Sequence, residues 1–489
     1  MNTESHSSRM TRRAFLASAA TAGAGFVLLR QSASARTYQA NEKVNVALIG
    51  VGGRGTWFLD NIPKMENVVA WCDVNRLKID AAYKRLKGLS AKFAKSPNRW
   101  EVNAARAYDR LLRTGGVKTY SDFRKMLEEM DKQIDAIVVA TPDHTHAVCS
   151  AAAMKAGKAV FCEKPLTRAV GESRALRELA RKHKVATSMG NQGTYSGAFR
   201  RAMELIRKGT IGEVIEVHVW NSGGGADKKA PPKGTPPVPD TFAWDVWLGP
   251  AAERPYHPEW LRRNNWRDFG TCQLGNWGSH TANLAVMALK VHELWCGEEA
   301  KKPHPLIRVQ AKTSGKNTLS FPRWEHVQWE VPARAEFGPI AINWYNGSAP
   351  GRQELLERVA KHAGDKDAGS LSFAGTYIVG TKGAIHATGH CMSFRLLPQD
   401  QYADVQRTRP ETADRSRGPE QDWFAACRGG RPAWANFDYA DALNEFLMLG
   451  NVATQFDSNL EFDPVECKIT NNKAADALLR PEYRDGWTL

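Results

Sequence analysis

Val44-Asn45-Val46-Ala47-Leu48-Ile49-Gly50-Val51-Gly52-Gly53-Arg54-Gly55 is the stretch on which the fold reading turns. A short apolar run with β-branched residues reads as a buried strand. It stops at Gly50, and Gly50, Gly52 and Gly55 fit G-x-G-x-x-G ahead of a helical pattern, with Gly53 and Arg54 filling the loop. Glycines permit the tight turn and let the backbone approach a pyrophosphate. The helix start then turns N–H groups and a positive dipole end toward the anion. The next apolar run, Val68 to Cys72, ends at Asp73, 18 residues after Gly55. An acid there accepts hydrogen bonds from adenosine ribose hydroxyls and disfavours a 2′-phosphate. The pattern therefore predicts bound NAD, while Arg76 leaves NADP open.

Outward from this unit, strands alternate with helices. Residues 76–112 read as helical with a break near Ser96-Pro97-Asn98. Short strands follow at 118–120, 135–141 and 159–162, each with a helix behind it. That alternation predicts an α/β Rossmann domain, a doubly wound parallel sheet, over 43–169. A further helix at 172–183 and strand at 185–189 continue the style. From Ile211 to Trp220 the pattern changes to period two, and similar segments recur at 306–313, 324–331, 339–346 and 376–387. Long alternating strands without intervening helices predict an α+β domain over 170–489 with a large open, mainly antiparallel sheet. Its C-terminal helices are expected to pack back on the first domain. The Gly/Pro/Lys-rich stretch 222–240 and the polar stretch 399–419 read as loops.

Two further motifs stand at carboxyl ends of parallel strands, where open α/β sheets bind ligands. Thr141-Pro142-Asp143-His144-Thr145-His146 follows the fourth strand, and Glu163-Lys164-Pro165 follows the fifth. With the glycine motif, in this order and spacing, they resemble the Gfo/Idh/MocA family of NAD(P)-dependent oxidoreductases. The similarity runs from about Lys43 to the C-terminus and is strongest over 44–220. The resemblance implies sugar, cyclitol or related substrates and an open second sheet that mediates homodimers or homotetramers. It places the family lysine at Lys164, against the substrate hydroxyl and the nicotinamide. Thr141, Pro142, His144, His146, Glu163 and Asn191 then fall along the cofactor. The family's second-domain D-x-x-x-H falls on Asn276 to His280, with His280 as general base. Asn276 stands where the family has Asp, and Asn283 replaces a later family Asp. An amide can orient the ring but supplies no charge, so His280 should have a lower pKa than in family members with the carboxylate.

Five of the 16 tryptophans lie between Trp244 and Trp277, interleaved with arginines and His257. Aromatic faces stack on sugar C–H faces, so Trp266, Arg267, His257 and Asn276 are expected to line a carbohydrate site. Core packing is the alternative reading of the same tryptophans.

The 489 residues are 42% hydrophobic and 24% charged, an ordinary composition with ample core, which excludes collagenous, disordered and disulfide-scaffold classes. Removing residues 1–35, with four Arg and one Glu, leaves a net charge of about +12. The basic residues are spread evenly and no nucleic-acid recognition motif is present, so nucleic acid is not an expected partner. The eight cysteines are scattered without C-x-x-C, and no metal site is readable. No apolar run in the body is long enough to span a membrane.

Residues 1–35 read as an export signal. Arg9, Arg12 and Arg13 precede an apolar stretch and Ala33-Ser34-Ala35. Thr11-Arg12-Arg13-Ala14-Phe15-Leu16 resembles a twin-arginine signal, which predicts a periplasmic protein exported folded by the twin-arginine translocation machinery. Free NAD is scarce outside the cytoplasm, so the cofactor should be tightly bound and regenerated in place. The expected activity is oxidation of a sugar, glycoside or polyol hydroxyl, Lys164 polarising it and His280 acting as acid/base. A redox-neutral NAD-dependent glycoside hydrolase or lyase is the alternative, through oxidation, elimination, hydration and reduction. A non-catalytic ligand-binding protein is a lesser one.

Overall fold

In the computed structural model, residues 43–113, 116–295, 303–406 and 409–489 are described. The expected export signal at 1–35 lies outside the described residues. Six strands form the first sheet in the order β3-β2-β1-β4-β5-β6, all parallel. They are β1 Asn45–Ile49, β2 Asn67–Cys72, β3 Lys118–Tyr120, β4 Ala136–Val139, β5 Ala159–Cys162 and β6 Thr187–Met189. Strands β1, β4 and β5 are buried on both faces, which is why they read as continuous apolar runs. The chain builds outward from β1 to β3, then crosses to β4. That reversal opens a crevice above the carboxyl ends of β1 and β4.

Helix α1 (Gly55–Met65) follows the glycine loop, and α2 (Arg76–Phe93) and α3 (Arg99–Arg113) follow β2. The predicted break at 96–98 is the gap between α2 and α3. The first domain was expected to close at 169, but β6 pairs with β5 and carries the sheet to Met189. Residues 170–189, including the helix Val170–His183, therefore stand with the first sheet. Helix and short strand there continue the α/β style of the first sheet.

The second sheet has nine strands in the order β13-β12-β11-β7-β10-β9-β8-β14-β15. They are β7 Val214–Asn221, β8 Ile307–Thr313, β9 Glu325–Val331, β10 Ile340–Asn346, β11 Ala374–Gly380, β12 Ala384–Thr388, β13 Phe394–Leu397, β14 Leu460–Asp463 and β15 Lys468–Ile469. Among the described residues of this sheet, only β7 and β10 pair in parallel. The single strand expected at 376–387 is a hairpin, β11 and β12, closed by Gly380 N–H to Gly383 O. Period-two alternation runs through the turn and hides it.

One apolar core spans both sheets, from Ile137 and Val139 through Val217 to Trp329 and Trp344. The helix Phe437–Ala453, buried along nearly its whole length, packs against both Val170–His183 and strands β8 and β9. The helix Pro419–Cys427 returns to the first sheet through Trp423 and Phe424. Among the described residues no helix is long and apolar enough to cross a membrane.

Candidate active site

The glycine loop folds too tightly for side chains. A Cβ on Gly50 (φ +85°) would stand 2.5 Å from the Ala140 carbonyl oxygen, and one on Gly55 would stand 2.0 Å from that of Gly50. Gly53, at φ +51°, opens onto free space. Asp73 Oδ2 accepts the Val51 amide at 3.0 Å and Oδ1 that of Asn75 at 2.9 Å, which aims the carboxylate along the loop. Burial pushes the Asp73 pKa up, and the amides of Asn75, Val51 and Gly52 pull it back. Just beyond, Phe242 bridges to Asn75, Arg76 N–H donates to Thr241 O and Ala243 N–H to Val74 O. The loop from the second domain thus lies along the β2–α2 turn. This cradle fits a dinucleotide: the loop and the start of α1 would hold the pyrophosphate, and Asp73 the adenosine ribose.

At the end of β5, Lys164 precedes a cis proline, Pro165. Its Nζ donates to Asn276 Oδ1 at 2.5 Å and to the Asn276 carbonyl at 3.2 Å. Asn276 sits in a π-helical turn, Leu274–Gly278, directly ahead of His280. Burial pulls the Lys164 pKa below the usual lysine range, opposed by Glu163 and Asp143. His280 is closed in, at 3% exposure. Its Nδ1 lies 2.9 Å from Asn191 Oδ1, while Asn191 Nδ2 donates to Ser279 O at 2.6 Å. The second contact fixes Asn191 Oδ1 as an acceptor. His280 Nδ1 must therefore carry the proton, and Nε2 keeps a free lone pair. Burial, then the nearby Lys164, His390 and Arg54, push the His280 pKa well below its ordinary value.

The other motif residues knit the loops around this pair. Arg54 Nε donates to Glu163 at 2.8 Å, joining the glycine loop to the end of β5, and Arg54 also lies over the Trp57 ring. Thr141 Oγ1 accepts from Thr145 Oγ1, and Pro142 caps the helix Asp143–Lys155. His144 is buried against Trp247 and Phe269, with Nε2 2.7 Å from the Trp247 carbonyl, and burial takes its pKa down to about 4. His146 faces two carbonyls, Pro165 O at 2.8 Å from Nδ1 and Thr141 O at 2.9 Å from Nε2. Both nitrogens must donate, so the ring is an imidazolium. Burial opposes that charge, but Cys162, Asp143 and the Pro165 carbonyl carry the pKa up to about 9.

Three residues expected at the substrate are engaged elsewhere. Trp266 is buried against Trp260 and donates its indole N–H to Glu259 O. The Arg267 guanidinium donates to the carbonyls of Asn317, Ser320 and Asn451 and to Thr454 Oγ1. His257 Nδ1 caps the Glu259 amide. The tryptophan-rich segment is a packed cluster of Trp247, Trp260, Trp266 and Phe269, the core-packing reading. Asn283 is likewise engaged, with Thr194 and Tyr439.

Sequence reasoning missed a neighbour of His280 and a neighbour of Trp277. The His390 ring centroid lies 4.5 Å from that of His280, and Phe373, 49% exposed, meets Trp277 edge-on at 4.5 Å. It also missed Asp143, whose buried carboxylate accepts from Arg263 at 2.7 Å and Thr271 at 2.8 Å. Neither His390 nor Phe373 carries a motif. Only Asp143 had a signal, its place inside Thr141–His146.

A levoglucosan dehydrogenase of Pseudarthrobacter phenanthrenivorans is 31% identical over 115 residues, 24% of this chain and 29% of that protein. A glycosyl hydrolase family 109 protein of Stenotrophomonas maltophilia is 26% identical over 334 residues, 62% of this chain and 64% of that one. The match thus spans less than two-thirds of either relative. Among solved structures, the WlbA dehydrogenase of Bordetella pertussis, in complex with NADH and UDP-GlcNAcA, shares the fold at TM-score 0.51 and 15% identity, over 86% of this chain and 98% of that one. Over residues 44–191, the chain matches the Gfo/Idh/MocA oxidoreductase family in its NAD-binding Rossmann fold.

Proposed function

We propose that this protein oxidises a hydroxyl of a sugar, glycoside or polyol by hydride transfer to tightly held NAD. The observation that carries the reading is the pairing of a buried Lys164 ammonium with an His280 whose Nε2 lone pair is free, beside the crevice above β1 and β4. Nicotinamide, when bound, accepts the hydride. His280 Nε2 takes the hydroxyl proton. Lys164 donates to the oxygen as negative charge develops there, which lowers the hydroxyl pKa and offsets the weakness of His280 as a base. Asn276 and Asn191 orient the two groups. Because Asn276 holds Lys164 and Asn283 is tied to Thr194 and Tyr439, neither amide marks a dismantled site.

A redox-neutral glycoside hydrolase is the second reading, supported by the 334-residue match to the family 109 protein. The twin-arginine pattern at residues 11–16 supports export of the folded, loaded protein to the periplasm, where a recycled cofactor suits scarce free NAD. The breadth of the second sheet suits a homodimer or homotetramer.

The test is denaturation of the purified protein, with released nucleotide read by absorbance and mass, then incubation of native protein with a glycoside and polyol panel without added cofactor. Bound NAD that becomes reduced supports the dehydrogenase. Free sugar at constant nicotinamide redox state supports the hydrolase. Nucleotide-free protein that changes neither would sink both.

A further inference from the structure

The site holds a second imidazole that hydride transfer alone does not need. His390 lies in the turn between β12 and β13, its centroid 4.5 Å from that of His280 and 5.0 Å from that of Trp277. The turn is pinned there. Cys391 Sγ donates to the His280 carbonyl at 3.5 Å, and a Cβ on Gly193 would stand 2.1 Å from the His390 carbonyl oxygen. His390 is half-buried, whereas His280 is closed in. Burial, then the charges of Lys164 and Arg54, the charged groups bearing on His390, favour its neutral form. Two imidazoles biased toward the neutral form therefore stand side by side next to one ammonium.

Oxidation of a carbinol requires one base, for the hydroxyl proton, and His280 supplies it. The carbonyl so formed acidifies the C–H on the neighbouring carbon. We propose that His390 is a second acid–base residue that removes the proton from that neighbouring carbon. The inference rests on the oxidoreductase reading of Lys164 and His280. In the first step the hydroxyl proton goes to His280 and the carbinol hydrogen leaves with its electron pair to nicotinamide. In the second, His390 takes the adjacent proton. The C–H electron pair becomes a C=C bond, and the carbonyl pair moves onto oxygen, facing Lys164. Return of a proton from His390 restores the ketone. Where the next carbon bears an alkoxy group, the pair expels it instead, and the proton held by His390 passes to that leaving oxygen. Return of the hydride then leaves no net redox change. A neutral imidazole beside an oxidation site thus suits substrates with a leaving group two carbons from the oxidised one, a glycoside among them.

The test uses the purified holoenzyme in D2O with myo-inositol and the 4-nitrophenyl glycosides of glucose, galactose, N-acetylglucosamine and N-acetylgalactosamine. Nicotinamide absorbance reports hydride transfer, and NMR of the recovered probe reports deuterium at each carbon. The expected result is reduction by at least one probe, with deuterium entering next to the oxidised carbon. His390→Gln should lower the ratio of exchange to reduction by about 10²-fold or more, the usual worth of a positioned base. A merely structural role would lower both together, and His390→Asn, checked for folding by thermal melting, repeats the comparison with a shorter amide. Reduction by wild type without deuterium entry, or an unchanged ratio in both variants, overturns the assignment of His390 alone. Absence of reduction with every probe, with NAD still bound, counts against the parent reading and the inference with it.

Discussion

Replacing Asn276 by Asp puts a unit negative charge on an atom already 2.5 Å from the Lys164 ammonium, with almost no change of shape. At that separation, two unit charges in an effective dielectric of about 20 attract by about 6–7 kcal/mol, or roughly 4–5 pKa units. Burying the new carboxylate offsets much of this. Opposite charges in contact move a pKa by about 1–3 units in practice. Burial now pulls Lys164 below its ordinary value, so Asn276→Asp should raise its pKa by about 1–3 units. His280 should rise as well, by less, because part of the Lys164 field that depresses it is cancelled. Competitive acetylation with acetic anhydride across pH 6 to 11, read by peptide mass spectrometry, gives the Lys164 pKa without needing a substrate. Lys164 titrating at the same pH in both proteins would refute the contact. If hydride transfer is then followed against pH, the alkaline limb should move up with Lys164. Turnover at neutral pH should fall, because an ammonium paired with a carboxylate donates less to a substrate oxygen.

Lys164→Ala should lower turnover by about 10²-fold or more while the protein keeps its nucleotide, as measured by absorbance after denaturation, because the loop that would hold the pyrophosphate is untouched. Gly55→Ala should destabilise by about 3 kcal/mol and lower nucleotide content, since its Cβ would meet the Gly50 carbonyl oxygen at 2.0 Å; urea unfolding measures the first effect. For His146, a folded pKa raised from 6.5 to about 9 means stability that is complete below pH 6.5 and lost as pH rises through about 9, on the order of 3 kcal/mol. His146→Gln should flatten that loss in urea unfolding curves collected from pH 6 to 10.

The first sheet was legible because its central strands are buried on both faces and leave continuous apolar runs, each ending at a glycine, a Thr-Pro or a Glu-Lys-Pro. Those same ends placed Lys164, Asp73 and the glycine loop. The second half was legible as strands but not as contacts. Trp266 was placed at the substrate because it lies near His280 in sequence, yet its indole N–H faces the Glu259 carbonyl. Distance along the chain does not report which way a side chain turns. Conversely, the Lys164–Asn276 and His280–Asn191 contacts join residues 112 and 89 positions apart. No local pattern marks them: the family motifs brought the four residues to view but not their pairing, and the amide expected to orient His280 holds Lys164 instead. His390 lay deeper still, beyond the hairpin that period-two alternation concealed across 376–387.

The amide at position 276 looks like a loss when a family carboxylate is the reference, but the charges around the site argue otherwise. Glu163 is bonded to Arg54, and Asp143 to Arg263 and Thr271. Both carboxylates near Lys164 are thus already matched by cations or hydroxyls. Lys164 is held by neutral oxygens alone, so its charge is not cancelled by its own anchor. A carboxylate at 276 would hold the same geometry while neutralising the group meant to stabilise an alkoxide. The amide therefore exchanges a stronger base for a stronger acid-side field. On the proposed chemistry, His280 becomes a poorer proton acceptor, and the substrate hydroxyl a better donor, through one and the same ammonium, whose anchor carries no charge. Proton transfer depends on the difference between those two pKa values, so lowering both leaves its driving force largely intact. What changes is the site without substrate: both imidazoles are biased toward the neutral form, and the one cation beside them is anchored by neutral oxygens.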